Sequence, residues 1–161
     1  MVELRPVARE DVDTLFALDQ TCFRPGIAYS KAELKYFLFH PSGIALVAEE
    51  SGRIAGFAIA ETRMYQGERI GHIVTIDVGP AWRRRGVGRL LMDAVTARCR
   101  EAGASRLQLE VAVDNDGAIA FYQELGFNAT GRIRGYYMGK LDAVVMERGL
   151  GVQPVAPVRR D

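Results

Sequence analysis

Apolar positions along this chain change period several times, and each change predicts an element. A short edge strand over Val2–Val7 ends near Pro6. From Ala8 the residues Val12, Leu15, Phe16, Leu18, Cys22 and Phe23 recur at three and four, which predicts a helix with Glu10 and Asp11 in its first turn. Pro25-Gly26 stops it. A second helix starts at Ser30, whose hydroxyl caps it while Glu33 completes a capping box, and Leu34, Phe37 and Leu38 form its buried stripe up to His40-Pro41-Ser42-Gly43. Ile44–Glu49, a Ser51-Gly52 turn and Ile54–Glu61 read as a hairpin, and after Gln66-Gly67-Glu68 a fourth strand spans Arg69–Val78. A helix from Val87 ends near Ala102-Gly103. Leu107, Leu109, Val111 and Val113 then alternate with Gln108, Glu110 and Ala112, a strand with Glu110 on its less oily face. Asp114-Asn115 opens a helix stopped by Gly126, and Phe127–Tyr137 with Asp142–Glu147 predicts a last strand pair. The order βααβββαβαββ is one mixed α/β domain over 1–149. The segment 150–161, with Pro154, Pro157 and Arg159-Arg160, has no periodicity and is expected to be disordered.

One stretch breaks the usual pattern. In Trp82-Arg83-Arg84-Arg85-Gly86-Val87-Gly88-Arg89 the first helical turn carries arginines where acids are normal, and no Ser, Thr, Asp or Asn caps it. Free N–H groups and cations converge there, which points to an anionic, phosphate-bearing ligand. The nucleoside-triphosphate loop is excluded because Arg89 and Leu90 stand where Lys and Ser/Thr are needed, and the dinucleotide fingerprint because Leu91 stands where a third glycine is needed.

Composition adds bounds. The 161 residues, 48% hydrophobic and 25% charged, suit one globular core. With 21 basic and 20 acidic side chains the net charge is +1, so nucleic acid is not an expected partner and the basic character is local to 83–89. No leader or membrane-spanning run is read, and Cys22 and Cys99, without metal spacing, are expected to be reduced core thiols of a cytoplasmic protein. No metal is expected.

Arg83-x-x-Gly86-x-Gly88, together with the element order, resembles the acyl-CoA loop of the GNAT N-acetyltransferases along residues 2–148. The implied fold is a mostly antiparallel sheet with a splayed parallel strand pair and flanking helices. A narrower resemblance rests on Leu109-Glu110-Val111, on Asn115-x-x-Ala118-Ile119-x-x-Tyr122-x-x-x-Gly126-Phe127, and on Tyr136-Tyr137 followed by Asp142-Ala143-Val144-Val145-Met146. These are similar to the ribosomal-protein-alanine and other N-terminal acetyltransferases. The chain departs from the ribosomal-protein enzymes in its first loop, where Pro25-Gly26-Ile27-Ala28-Tyr29-Ser30 replaces their Pro-Trp-Ser.

The resemblance implies acetyl-CoA as donor and a primary amine as acceptor. Backbone groups of residues 84–89 (Arg84, Arg85, Gly86, Val87, Gly88, Arg89) would cradle the pyrophosphate, with Arg83 and Arg84 near phosphates and Arg85 or Arg89 alternatively solvated. Gly86 and Gly88 would allow close backbone approach. Asp77 and Val78 would offer backbone to the pantetheine, the Asp77 side chain having a surface or structural role, and Asn115 would cap its helix and touch the cofactor. Glu110 matches the general base, directly or through a water, and Tyr122 the general acid; His72 is a second candidate base. On the residues alone, Glu110 is equally a half-buried strand glutamate, Tyr122 a core aromatic and His72 an exposed histidine. Tyr29, Tyr136 and Tyr137 are candidate contacts to a peptide acceptor. The expected activity is direct acetyl transfer to a protein or peptide N-terminal amine, a ribosomal protein among the candidates, by a monomer or homodimer. Lysine side chains or a small amine as acceptor, and a non-catalytic acyl-CoA-binding protein, are the alternatives.

Overall fold

A computed structural model describes residues 1–151. In chain order it contains β1 (Glu3–Pro6), a 3-10 turn, α1 (Val12–Cys22), α2 (Lys31–Leu38), β2 (Gly43–Glu50), β3 (Arg53–Tyr65), β4 (Glu68–Val78), a second 3-10 turn (Pro80–Trp82), α3 (Val87–Glu101), β5 (Arg106–Ala112), α4 (Asp116–Glu124), β6 (Asn128–Tyr137) and β7 (Leu141–Gly149). The expected order of elements is therefore the observed one. The capping box on α2 is present, Glu33 N–H donating to Ser30 Oγ and Ser30 N–H to Glu33 Oε1, both at 3.1 Å. Leu150, within the segment expected to be disordered, is buried in the core and its N–H donates to Ser105 O. Residues 152–161 lie outside the described residues. Among the described residues no helix is long and apolar enough to cross a membrane.

The seven strands form one sheet in the order β1-β2-β3-β4-β5-β7-β6. The middle strands are buried on both faces. Ala48, Ala58 and Ala60 face α3, whose Val87, Leu91, Met92, Val95 and Cys99 fill that side. Val47, Phe57 and Ile59, one residue out of phase, face α1 and α2 through Leu15, Leu34 and Leu38. Small residues on the α3 side let the helix approach closely, and each fully buried large side chain contributes about 1.5–3 kcal/mol.

One pair, β4 with β5, is parallel, and it holds for only two steps, Gly71 with Leu107 and His72 with Gln108. Gly71 is needed there, because a Cβ would stand 2.7 Å from Cys99 Sγ and 2.8 Å from Leu107 Cδ2. Beyond His72 the strands part. The register of β4 against β3 slips at the same place, Ile59 pairing Thr75 and Ala60 pairing Ile73, so Val74 is bulged. A wedge opens between the diverging strands, and the candidate site lies in it.

Of the two roles expected for the Asp77 side chain, surface or structural, the fold shows the structural one. Instead of reaching the surface, its side chain is 1% exposed, accepts from Thr75 Oγ1 at 2.5 Å and lies against the fully buried Asp19 of α1. Burial, then the hydrogen bond and charge of Asp19, push the Asp77 carboxyl well above its usual range. The folded protein therefore retains a proton that the unfolded chain releases near the ordinary aspartate pKa of about 3.9. Stability is full below that value and declines as pH rises toward the folded-state pKa, by about 1.4 kcal/mol per pH unit. Asp77→Asn, which cannot ionise, is expected to flatten this decline. Urea unfolding between about pH 5 and 8 checks it; equal slopes for the two proteins would show that the pair does not hold the proton.

Candidate active site

The loop of residues 83–89 closes one end of the wedge. Gly86 is the N-cap of α3 with φ +79°, no side chain caps the helix, and its first turn holds no acid. Nothing lies within 4 Å of where a Cβ on Gly86 would stand. The leading N–H groups of a 15-residue helix thus open onto a cleft of about 1200 Å³. Arg83, Arg84, Gly86, Val87, Gly88 and Arg89 line it together with Val78 and Asn115. An uncapped helix end over an open space, ringed by arginines, fits a pyrophosphate.

Two expectations change, one for Arg85 of this loop and one for Cys22 of α1. Arg85 turns away from the cleft and pairs with Glu50, Nη2 to Oε2 at 2.9 Å. Gly88, which lines the cleft, also lies under α4: a Cβ there would meet Phe121 Cζ at 3.1 Å. Cys99 is a fully buried core thiol, but Cys22 lines the cleft, its Sγ 3.8 Å from Arg83 Nη2 and 3.6 Å from Val78 O. Burial pushes the Cys22 thiol up. Asp77 itself does not line the cleft; its backbone pairs with Phe57 of β3.

At the other end of the cleft the two candidate bases prove to be one unit. Glu110 lines the cleft from β5, and its Oε2 is 2.6 Å from His72 Nε2 on β4. Their side chains are 12% and 13% exposed, so His72 is not the exposed histidine the residues alone allowed. The short parallel pairing of β4 and β5 sets this distance. Tyr122 enters from α4, which Asn115 caps by accepting from Ala118 N–H at 3.1 Å. The Tyr122 ring packs against Phe127 with centroids 5.7 Å apart. Burial raises its phenol far above the ordinary value, so it keeps its proton at neutral pH, as a general acid must.

Tyr29, Tyr136 and Tyr137 line the same cleft. Tyr29 is fixed by its N–H to Asp19 Oδ2 at 2.8 Å and by its hydroxyl to Val74 O at 3.3 Å, the carbonyl of the bulged residue. Tyr136 and Tyr137 meet edge to face, 4.9 Å apart. Burial raises all three phenols, and the nearby Glu110 charge adds to the effect.

Sequence reasoning missed two bridges between the walls. Arg24 of the α1–α2 loop pairs with Asp114 of the β5–α4 turn at 2.8 Å. Gly26, at φ +91°, sits so close to the Met138 thioether of the β6–β7 turn that a Cβ would collide with it. No local signal marks either contact. Glu61, also missed, lies behind His72, with Oε1 3.7 Å from Nδ1.

Comparison with known proteins agrees with this geometry. Residues 12–127 match the model of the acetyltransferase (GNAT) family. N-alpha-acetyltransferase 30 of Schizosaccharomyces pombe is 30% identical over 116 residues, 71% of this chain and 77% of that protein. The ribosomal protein bS18-alanine N-acetyltransferase of Escherichia coli K12 is 34% identical over 100 residues, 60% of this chain and 65% of that protein. The crystal structure of Ard1 from Thermoplasma volcanium superposes with a TM-score of 0.80 at 30% identity, covering 92% of this chain and 97% of that one. The chain therefore belongs to the acetyltransferase (GNAT) family and is an acetyl-CoA-dependent N-acetyltransferase.

Proposed function

We propose that the acceptor is the N-terminal α-amine of a protein or peptide. The observation that carries this reading is the acceptor end of the cleft, where Glu110 faces Tyr29, Tyr136 and Tyr137 while Gly26 and Met138 bring the two flanking loops together. Such a bridged, aromatic-walled opening suits a chain end threaded lengthwise. Relatives named for N-alpha and ribosomal-protein-alanine acetylation support it.

Energetics favour the same acceptor. An amine attacks only when neutral, and at pH 7 neutralising an α-amine costs about 1 kcal/mol, against roughly 4–5 kcal/mol for a lysine. A carboxylate–imidazole pair is base enough for the first. Bound acetyl-CoA supplies the activated acyl group. The uncapped end of α3, with Arg83 and Arg84, holds its phosphates. Glu110, backed by His72, takes the proton of the attacking nitrogen, and Tyr122 gives its own to the departing sulfur. No covalent enzyme intermediate is needed: Cys99 is buried away from the cleft, and the Cys22 thiol that lines it is pushed up by burial and stays protonated at neutral pH.

A panel of peptides, free or blocked at the N-terminus and with or without an internal lysine, decides the acceptor. Free N-termini, alanine-initiated ribosomal sequences among them, are expected to be acetylated, and blocked lysine peptides are not. Acetylation confined to blocked lysine peptides or to a small amine would reverse the assignment.

A further inference from the structure

We infer that Glu61 is a positioning residue for proton removal: it holds the His72 ring from behind and stabilises the charge that the Glu110–His72 pair gains when the acceptor amine loses its proton. The inference rests on the reading of Glu110 as base.

The three groups lie in a row across adjacent strands. Glu61 on β3 stands directly opposite His72 on β4, and His72 lies beside Gln108 on β5, two residues before Glu110. Going outward from the cleft, Oε2 of Glu110 is 2.6 Å from Nε2 and Oε1 of Glu61 is 3.7 Å from Nδ1. Nδ1 is fully buried and has no hydrogen-bond partner. A buried ring nitrogen left unpaired is costly, and 3.7 Å is too long for a hydrogen bond. Closing that gap would give an Nδ1–H a carboxylate partner. Catalytic hydrogen bonds are often long before substrate binds.

Glu61 decides which ring nitrogen carries the resident proton. With Nδ1–H facing the Glu61 carboxylate, Nε2 is free to share a proton with Glu110. In the resting pair a proton already lies in the 2.6 Å contact between Nε2 and Oε2; when the amine N–H bond breaks, its proton is taken by the other Glu110 oxygen, Oε1, and the imidazolium charge this leaves unneutralised lies against Glu61. One proton enters the pair and no other group changes state. Other charged or titratable groups near the row are Arg63 of β3, whose Nη2 is held by Gln108 Oε1 at 3.1 Å, and Tyr29, Tyr136 and Tyr137, which feel the Glu110 charge. None of them reaches the Nδ1 side of the ring within hydrogen-bonding distance. Glu61 itself does not line the cleft, so it acts through His72 and not on substrate.

The test is Glu61→Gln, with Glu61→Asp as conservative rescue, read by steady-state kinetics and by the ring ¹⁵N signals of His72. Expected results are a fall of about tenfold in kcat, an unchanged KM for acetyl-CoA, a displaced Nδ1 signal and partial recovery in Glu61→Asp. Unchanged kcat, or a fall with no change in the ring signals, overturns the proposal. Should Glu61→Gln not fold, the decision passes to Glu61→Asp: wild-type kcat with an unchanged Nδ1 signal overturns the proposal, and an intermediate kcat with a displaced signal supports it. Glu110→Gln separates the two readings. If it stays active the base reading itself fails, whereas an inactive Glu110→Gln beside a fully active Glu61→Gln removes only the role of Glu61.

Discussion

Glu110→Gln is expected to lower kcat for acetyl transfer by about 10²- to 10⁴-fold, the usual worth of a positioned general base. The substitution keeps the shape of the side chain and can still hydrogen-bond His72, so the 2.6 Å contact that joins β4 to β5 is weakened but not emptied. Fold and acetyl-CoA affinity are therefore expected to be retained, because the residues proposed to hold the phosphates are on the α3 loop at the opposite end of the cleft. What is lost is the acceptor for the amine proton. An amide cannot take it, and His72, which does not line the cleft, has no direct line to the nitrogen. Following release of the CoA thiol at saturating acetyl-CoA and peptide isolates this step. A kcat within about threefold of wild type would mean that the attacking amine needs no protein base, as expected if it arrives already neutral.

Much of the geometry behind that expectation can be read from the residues once registers are counted. Gln66 and Gly67, both at positive φ, make a two-residue turn, so Tyr65 opposes Glu68 and the pairing runs unbroken to Glu61 opposite His72. Ser30 and Glu33 announce α2 by local chemistry alone, and Gly86 announces its own left-handed backbone. What could not be read depends on contacts distant in sequence. The bulge at Val74 falls where β4 and β5 part and has no residue signature, yet its carbonyl is the one that fixes Tyr29. Asp77 looks like a polar edge residue until α1 brings Asp19 against it. Arg85 is the last of three consecutive arginines until the end of β2 presents Glu50, and Gly88, the second glycine of the loop, also has Phe121 of α4 laid on it. Local chemistry thus points to an anionic ligand for the loop. The identity of each residue's partner was set by the sheet.

Gly86→Val is expected to weaken acetyl-CoA binding by about 100-fold or more, a loss of roughly 2.7 kcal/mol or more. Two effects act together. Gly86 holds φ +79°, where a side-chain-bearing residue pays about 1–2 kcal/mol and a β-branched one more. Its missing Cβ also faces empty space at the mouth of the helix, where the free N–H groups converge, so the isopropyl group occupies the volume an anion needs. Titration calorimetry with acetyl-CoA measures the effect, and Arg85→Ala is the control. Its guanidinium is held by Glu50 outside the cleft, so removing it should leave affinity unchanged although a positive charge is lost from the same loop. If Arg85→Ala weakens binding as much as Gly86→Val, the loop attracts phosphate by general charge and the helix end is not the cradle. Paired with Glu110→Gln, the same titration separates binding from chemistry. A variant that binds without turning over, beside one that does neither, is the signature of an enzyme whose donor site and base lie at opposite ends of one cleft. A protein that only binds acyl-CoA would show no turnover for Glu110→Gln to remove.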